Sequence, residues 1–128
     1  MTFCSQKKDQ TLKGTGRAVP PYVLYTSPRI RRFMEECRSR RLRWAIFSDK
    51  FGVWFPEACR EYYDKSPDSV TSKEFFALLN DFDTKLANFE EICFYRGTGR
   101  VHSLYRRICE KTKLRDRLKF VEHWWDIV

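Results

Sequence analysis

Three short segments of this sequence combine small residues with cationic side chains, a combination that suits phosphate binding. The segments are Cys4-Ser5-Gln6-Lys7-Lys8, Ser48-Asp49-Lys50-Phe51-Gly52 and Arg96-Gly97-Thr98-Gly99-Arg100. Backbone N–H groups that small residues leave accessible can surround an anion together with lysine or arginine. The third segment precedes a predicted helix, whose N-terminus also attracts anions. We therefore interpret the three segments as candidate anion-binding loops, with a tight structural connection as the alternative for each.

The candidate binding residues belong to these loops or to the tyrosine and serine just before a predicted helix start. The set for an anion or nucleotide is Ser5, Lys7, Lys8, Tyr25, Ser27, Ser48, Lys50, Gly52, Arg96, Gly97, Thr98, Gly99 and Arg100. Lys8 and Lys50 are expected to bind an anion rather than to carry chemistry. Tyr25 could stack on a nucleobase, as aromatic residues beside basic groups often do, or it could cover the core.

Four residues are candidates for catalysis: Cys4, Asp49, Asp64 and His102. Cys4 could act as a nucleophile if neighbouring lysines or a helix N-terminus lowered the pKa of its thiol. Such a nucleophile needs a base, and His102 follows the third candidate loop closely. Asp49 and Asp64 could form a general acid and base pair. The alternative for both carboxylates is turn formation through bonds to their own backbone.

The cysteine pattern argues against a metal site. The five cysteines include no Cys-x-x-Cys pair and are separated by long gaps, which suits neither a zinc site nor a disulfide framework. No metal and no cofactor are therefore expected.

Apolar patterns predict the elements that must position these residues. Continuous apolar runs predict strands at 2–4, 44–47 and 92–95, with another extended piece at 53–56. Apolar residues at helical spacing predict helices over 28–37, 71–89 and 101–108. This alternation predicts an α/β fold: a single three-layer domain spanning residues 1–128, with a mostly parallel sheet and helices on both faces. Ligands of such sheets bind beyond the carboxyl ends of the strands, where the three candidate loops lie.

Two further segments carry expectations of their own. Arg29, Arg31 and Arg32 occupy the first turn of the helix that starts at Pro28, where cations oppose the helix dipole. We expect these arginines to face a bound anion, with solvation as the alternative. The apolar segment 118–128 contains Trp124 and Trp125 and is expected to dock on the body of the domain or on a partner, as helix or strand.

Composition and charge limit the class of protein. A chain of 128 residues with 42% hydrophobic residues has enough apolar material for one core, which excludes a wholly disordered protein. No apolar run is long enough to cross a bilayer, so no membrane association and a cytoplasmic location are expected. The net charge of +8 is concentrated in residues 1–60 and 96–128. A basic face of this kind favours polyanionic partners.

The order of several motifs resembles an uncharacterised prokaryotic and phage domain family. The matching residues are Cys4, Ser5 and Lys8, then Leu24, Tyr25, Ser27 and Pro28, then Ser48, Lys50 and Gly52, and finally Tyr63 and Asp64. A more distant resemblance is to the Cys-Ser domain of archaeosine synthase, which is similar to the uracil-DNA glycosylase fold. This resemblance implies an α/β domain that works on or near nucleobases.

The sequence thus leads to two hypotheses of different class. The first is a nucleotide- or nucleic-acid-binding domain, with tRNA, DNA or a nucleotide as partner and a relation to nucleobase modification; whether it is an enzyme stays open. The alternative is a non-catalytic interaction protein or homodimer that uses the apolar C-terminal segment.

Overall fold

A computed structural model describes residues 1–127 and shows short strands and helices alternating along the chain. The strands are β1 (Thr2–Phe3), β2 (Ala18–Val19), β3 (Ile46–Ser48), β4 (Gly52–Trp54), β5 (Arg60–Glu61), β6 (Ile92–Tyr95) and β7 (Leu118–Val121). The helices are α1 (Pro21–Leu24), α2 (Pro28–Ser39), α3 (Ser72–Lys85) and α4 (Ser103–Lys111). Single 3-10 turns occur at Gln10–Leu12, Pro67–Ser69, Arg115–Arg117 and Trp124–Asp126. The predicted mixed α/β class is confirmed.

Local sequence accounts for the three longer helices. Pro28 occupies the first position of α2, where its missing N–H costs nothing. Helix α3 begins with a complete capping box, in which the Thr71 hydroxyl accepts from the Glu74 N–H and the Glu74 carboxylate accepts from the Thr71 N–H. Helix α4 is capped by His102, whose ring accepts from the Leu104 N–H. Each of these helices buries an apolar stripe at helical spacing.

Parallel pairing places several strand ends at a common edge. β1 runs parallel to β3, with Phe3 opposite Phe47, and β6 runs parallel to β7. Two backbone bonds connect β6 to the residue before β1, because the Met1 amino group donates to the Cys93 carbonyl (2.6 Å) and the Tyr95 N–H donates to the Met1 carbonyl (2.8 Å). Because β1 and β3 are parallel neighbours, their carboxyl ends lie side by side.

The remaining pairs are antiparallel. β4 folds back on β3 as a hairpin, with Ser48 opposite Gly52, and β2 pairs with β5. The extended piece predicted at 53–56 is thus the return strand of a hairpin rather than a parallel strand. Its short turn leaves no room for the crossover helix that parallel neighbours require.

The core forms two apolar clusters that use alternate residues of the same strands. Ile46 and Trp54 belong to the cluster that contains α2, whereas Phe47 and Val53 belong to the cluster that contains α3 and α4. Successive strand side chains point to opposite faces, so β3 and β4 contribute to both clusters. No helix within residues 1–127 combines the length and apolarity that crossing a bilayer requires.

The C-terminal segment packs on the chain itself over residues 118–127. It consists of β7 and one 3-10 turn, with Ile127 buried and its carbonyl accepting from Arg40. Trp124 packs on the cluster of α2 beneath the guanidinium of Arg32, which lies 3.8 Å from the ring centroid. Val128, the last residue of the predicted segment, lies outside the described residues.

The first-turn arginines of α2 all have partners within the chain, which neither alternative drawn from the sequence anticipated. Arg29 donates to the Thr2 hydroxyl (2.6 Å) and to the Phe3 carbonyl (3.0 Å). Arg31 donates to the Tyr22 carbonyl, and Arg32 forms an ion pair with Glu36 at 3.3 Å. Partners within the chain therefore offset the unfavourable helix dipole.

Candidate functional site

A cleft of about 160 Å³ opens where the chain leaves β1 and β3, beside the first turn of α4. Its lining comes from four separate parts of the sequence: Phe3, Cys4, Ser5, Gln6 and Lys8; Asp49; Lys65 and Pro67; and Arg100, His102 and Tyr105. All three candidate loops contribute at least one residue. The structure therefore brings together Cys4, Ser5, Lys8, Asp49, Arg100 and His102 from the sequence-predicted set.

The thiol of Cys4 lies between an acid and a phenol. It donates to the Asp49 carboxylate, with 3.6 Å between Sγ and Oδ1, and Sγ lies 3.1 Å from the Tyr105 hydroxyl oxygen. Burial raises the pKa of this thiol, and the negative charge of Asp49 raises it further. Cys4 is consequently a neutral hydrogen-bonding group at pH 7 rather than the activated nucleophile that the sequence suggested.

Asp49 is the buried carboxyl of the cleft. Only 2% of the residue is exposed, because it directly follows β3 and is covered by the segments around Cys4 and Lys8. Burial raises the pKa of the Asp49 carboxyl, an effect opposed by the hydrogen bond from Cys4 and by the charge of Lys8. A carboxyl group in this environment can accept hydrogen bonds from a ligand and can exchange a proton nearer neutrality than an exposed aspartate.

Lys8 is the buried cation of the cleft. The residue is 6% exposed, and its ammonium lies 4.3 Å from the centroid of the Tyr63 ring. Burial lowers the pKa of Lys8, although Cys4, Asp49 and Asp64 oppose the shift. Lys8 is held in place by its backbone bridge to Tyr25. Its position supports a direct charge interaction with a ligand in the cleft.

Three hydroxyl groups form a bonded network beneath Lys8. The Tyr25 and Tyr63 oxygens lie 2.6 Å apart, and the Ser48 hydroxyl donates to Tyr63 (3.1 Å). Burial raises the pKa of both phenols. Tyr25 and Ser48 therefore support the floor of the site from inside the core, and neither lines the cleft.

The outer rim of the cleft is cationic. Arg100 is exposed in the loop before α4. Lys65 donates to the Glu74 carboxylate at 2.9 Å, which fixes its ammonium at the rim. The Ser5 hydroxyl accepts from the Lys7 N–H (3.2 Å) and thereby shapes the loop that follows β1.

His102 is not placed to act as a base for Cys4. Its Nδ1 accepts from the Leu104 N–H at 3.0 Å, so the proton of the neutral ring lies on Nε2. Nε2 in turn lies 2.7 Å from the Asp68 carboxylate. Both ring nitrogens are therefore occupied, and the residue caps α4 at the edge of the cleft.

The segment 48–52 is a hairpin turn rather than an open anion-binding loop. The Ser48 hydroxyl accepts from the N–H groups of Lys50 and Phe51, both at 3.1 Å. Gly52 has a φ of +74°, which closes the turn between β3 and β4. The two loop N–H groups are therefore occupied. Exposed Lys50 borders a different depression, which also contains Asp49.

The other predicted residues lie around the cleft without lining it. Asp64 and Lys7 are exposed, and Ser27 is buried at the start of α2. Arg96 forms an ion pair with Glu122 at 3.6 Å. Gly97 is buried beside the side chain of Arg29, Thr98 is exposed, and Gly99 borders a second, larger groove.

Five residues that line the cleft lie outside the set predicted from sequence, namely Phe3, Gln6, Lys65, Pro67 and Tyr105, and two of them matter most for the chemistry. Tyr105 lies on the apolar stripe of α4, so its spacing indicated only a core residue. Lys65 follows the Tyr63-Asp64 pair, and its position next to that motif was the one available signal. Tyr105 also packs against Phe3, with ring centroids 5.1 Å apart, which connects α4 directly to β1.

The described residues hold a buried acid, a buried amine and a neutral thiol under a cationic rim. This arrangement can bind a polar ring through hydrogen bonds and an attached anion through charge. Within residues 1–127 no group of three or more histidine, cysteine and acidic side chains is arranged to hold a metal ion. Comparison with protein-family models, with curated proteins and with solved structures gives no match for this chain, so the support for a function comes from the cleft.

Proposed function

We propose that the cleft binds a nucleotide, either free or as part of tRNA or DNA, and that the protein takes part in nucleobase modification. One observation carries the proposal: the buried pair of Lys8 and Asp49 lies at the carboxyl ends of neighbouring parallel strands, beneath a rim that contains Lys65 and Arg100. Ligands of α/β proteins bind at this position in the sheet. The motif resemblance to the Cys-Ser domain of archaeosine synthase favours the same substrate class.

A single sheet beneath the cleft would hold such a site in place. We infer that β4, β3, β1, β6 and β7 work as one mostly parallel sheet, since backbone bonds connect each neighbour to the next. The helices would then form the outer two of three layers, because Ile46 and Phe47 serve the two different core clusters. β4 is the antiparallel edge strand of this arrangement.

The size and polarity of the cleft suit one part of a nucleotide. Its volume of about 160 Å³ is below the roughly 300–1,000 Å³ of pockets that enclose whole drug-sized ligands. The Asp49 carboxylate would accept from an N–H of the base, and the rim cations Lys65 and Arg100 would contact the phosphate. Cys4 would remain a neutral neighbour of the base.

The chemistry that this site could support is proton transfer. The raised pKa of Asp49 moves this carboxyl toward the range useful for a general acid or base. Cys4 does not supply a thiolate, because the pKa of its thiol is raised as well. Asp49 is therefore the residue on which catalysis would depend.

Calorimetric titration with nucleoside monophosphates, free bases and inorganic phosphate tests the proposal. Asp49→Asn should weaken binding of bases and nucleotides, whereas the double variant Lys65→Ala with Arg100→Ala should weaken only ligands that carry phosphate, about tenfold or more. Arg17→Ala with Lys73→Ala is the matched control, since it removes two exposed cations outside the cleft. The proposal is wrong if no base or nucleotide binds, or if cleft and control variants behave alike.

A second candidate function, homodimerisation or partner binding through the C-terminal segment, has one specific observation in its favour. Trp125 is 55% exposed and stacks on His123 at 4.4 Å between ring centroids. Light scattering of the parent chain and of Trp125→Ala separates the two functions. A dimer that the substitution converts to monomer supports this candidate, and a monomeric parent chain contradicts the homodimer.

A further inference from the structure

A second and larger groove lies between α4 and the pair of β6 and β7. It has a volume of about 530 Å³. Its apolar lining consists of Phe94, Val101, Tyr105, Cys109, Leu118 and Phe120. Phe120 is 49% exposed although it lies in a strand, and its ring centroid is 6.1 Å from that of buried Phe94. The groove therefore presents an aromatic surface to solvent.

The charge of the groove is strongly positive. Four arginines line it, namely Arg96, Arg100, Arg106 and Arg115, against one acidic residue, Glu110. Arg96 is paired with Glu122. The other three arginines have no carboxylate within ion-pair distance in the described part of the chain. Charge complementarity thus indicates an anionic occupant.

The groove adjoins the cleft of the proposed function. Arg100 and Tyr105 line both cavities. A ligand that extends out of the cleft past these two residues would enter the groove directly. The occupant of the groove is then the continuation of the ligand in the cleft.

We propose that the groove binds single-stranded nucleic acid that continues from the nucleotide held in the cleft, so that the substrate is a polynucleotide. This inference rests on the proposed function and extends it from one nucleotide to several. Phe120 would stack on a base, and Arg106 and Arg115 would contact the phosphates on either side. Surfaces that combine aromatic residues with cations in this way bind single strands with little sequence preference.

An acidic peptide is the competing occupant, and the aromatic lining distinguishes the two. The arginine side chains alone would bind either a nucleic acid or an acidic peptide. Exposed Phe120 beside Phe94 offers a flat apolar face that suits base stacking, and the shared residues Arg100 and Tyr105 connect it to a cleft with base-binding chemistry. These observations favour nucleic acid.

Fluorescence anisotropy with labelled ten-nucleotide single strands of RNA and DNA tests the inference on the full chain. Arg106→Ala with Arg115→Ala should weaken binding about tenfold or more. It should also reduce the slope of log affinity against log salt by about 1.4, since each phosphate contact on a single strand contributes about 0.7. Arg17→Ala with Lys73→Ala is the control for a general loss of two positive charges outside the groove.

The stacking role is tested by Phe120→Ala, with Phe76→Ala as its control. Phe76 is a phenylalanine on α3 that is 63% exposed and lies outside the groove. Loss of one stacked base weakens single-strand binding by roughly 5- to 150-fold. Phe120→Ala should show a loss in this range, while Phe76→Ala should bind like the parent chain. Both substitutions are at exposed side chains, and circular dichroism verifies folding.

Comparison of ligand lengths separates this inference from the proposed function. A ten-nucleotide strand that binds at least tenfold more tightly than a mononucleotide, and loses that advantage in the groove variants, supports the groove. Equal affinity for both lengths overturns the groove and leaves the cleft proposal intact. Absence of binding to either overturns both. Equal competition by polyglutamate identifies an acidic peptide surface and overturns the nucleic-acid assignment.

Discussion

The Sγ atom of Cys4 lies 3.6 Å from Oδ1 of Asp49, which joins the residues that follow two neighbouring parallel strands. Burial disfavours the charged form of both groups, and the charge of Asp49 further disfavours ionisation of the thiol, whereas the hydrogen bond from the thiol favours the ionised carboxylate. The contact holds a proton donor and an acceptor together at the ends of the two strands. Asp49 and Cys4 are therefore the first residues to probe.

Alkylation of Cys4 should be slow and should depend on Asp49. The thiolate is the reactive form, and burial together with the negative charge of Asp49 raises the pKa of Cys4. Asp49→Asn removes that charge, so the rate of alkylation by iodoacetamide at pH 8 should increase several-fold. Peptide mass spectrometry measures the rate at each cysteine. Exposed Cys59 is the internal reference, and an unchanged ratio of Cys4 to Cys59 would contradict the assigned contact.

Asp49 should also make stability depend on pH. Burial raises the pKa of this carboxyl in the folded chain above its ordinary value of 3.8, so the folded state holds the proton more tightly than the unfolded state. The contribution of Asp49 to the free energy of unfolding should therefore decrease as pH rises from about 3.8 through the folded-state pKa. Asp49→Asn should abolish this decrease and be the more stable protein at pH 7.

Urea unfolding between pH 3 and pH 8 measures this effect. The parent chain and Asp49→Asn should converge at the acidic end, where both side chains are neutral. Asp64→Asn is the matched control. Asp64 is an exposed aspartate that directly follows Tyr63, a member of the hydroxyl network beneath Lys8. A parent chain that is more stable than Asp49→Asn throughout this range would show that the carboxylate is stabilising.

Local patterns predicted the three longer helices and the mixed α/β class of the fold, but not the short helix α1. The stripe of Ile30, Phe33 and Cys37 and the pair of Thr71 and Glu74 are contained within single helices, so their spacing is readable from sequence. Apolar runs likewise predicted strands at 44–47 and 92–95; the second matches β6, whereas β3 begins at Ile46 and ends at Ser48. The positions at which these strands end also indicated which loops should meet at the edge of the sheet.

Relationships between distant parts of the chain were not readable in this way. The direction of β4 is set by a turn of three residues, whereas its apolar composition suits either direction. The sequence points Arg29 toward an external anion, because its internal acceptors, Thr2 and Phe3, lie far away along the chain. The role of Tyr105 beside Cys4 depends on how α4 packs on β1. Spacing carries no information on such contacts.

Gly52 should be intolerant of substitution for a structural reason. Its φ is +74°, and a β-carbon there would lie 2.1 Å from Oδ2 of Asp81. Asp81 cannot move freely, because it accepts from the Val53 N–H at 2.8 Å and pairs with Lys85 at 2.9 Å. Gly52→Ala should lower the free energy of unfolding by roughly 2–5 kcal/mol, from backbone strain and overpacking together.

Gly14 provides the matched control for this substitution. Its φ is also +74°, yet nothing lies within 4 Å of the position of a β-carbon. Gly14→Ala should therefore cost only the strain of about 1–2 kcal/mol. Combining Gly52→Ala with Asp81→Ala should cost less than the sum of the single changes. Equal losses at Gly52 and Gly14 would show that Asp81 plays no part.

Arg29 should be required for stability rather than for binding an anion. Its guanidinium donates to the Thr2 hydroxyl and the Phe3 carbonyl, and its central carbon lies 4.3 Å from the centroid of the Phe3 ring. Arg29→Ala leaves both acceptors without this donor, and bonds to a charged group contribute about 1.5–3 kcal/mol each. We expect a loss of about 2–4 kcal/mol in the free energy of unfolding.

Arg31→Ala is the control for Arg29, since Arg31 occupies the same first turn but is exposed. It should change the free energy of unfolding by less than about 1 kcal/mol. If Arg29 instead faced an anion, Arg29→Ala would relieve repulsion with the helix dipole, and phosphate would stabilise the parent chain but not the variant. Thermal unfolding with and without phosphate distinguishes these outcomes. Because Arg29 binds the strand that ends beside Cys4, a destabilised variant should also expose that thiol to faster alkylation.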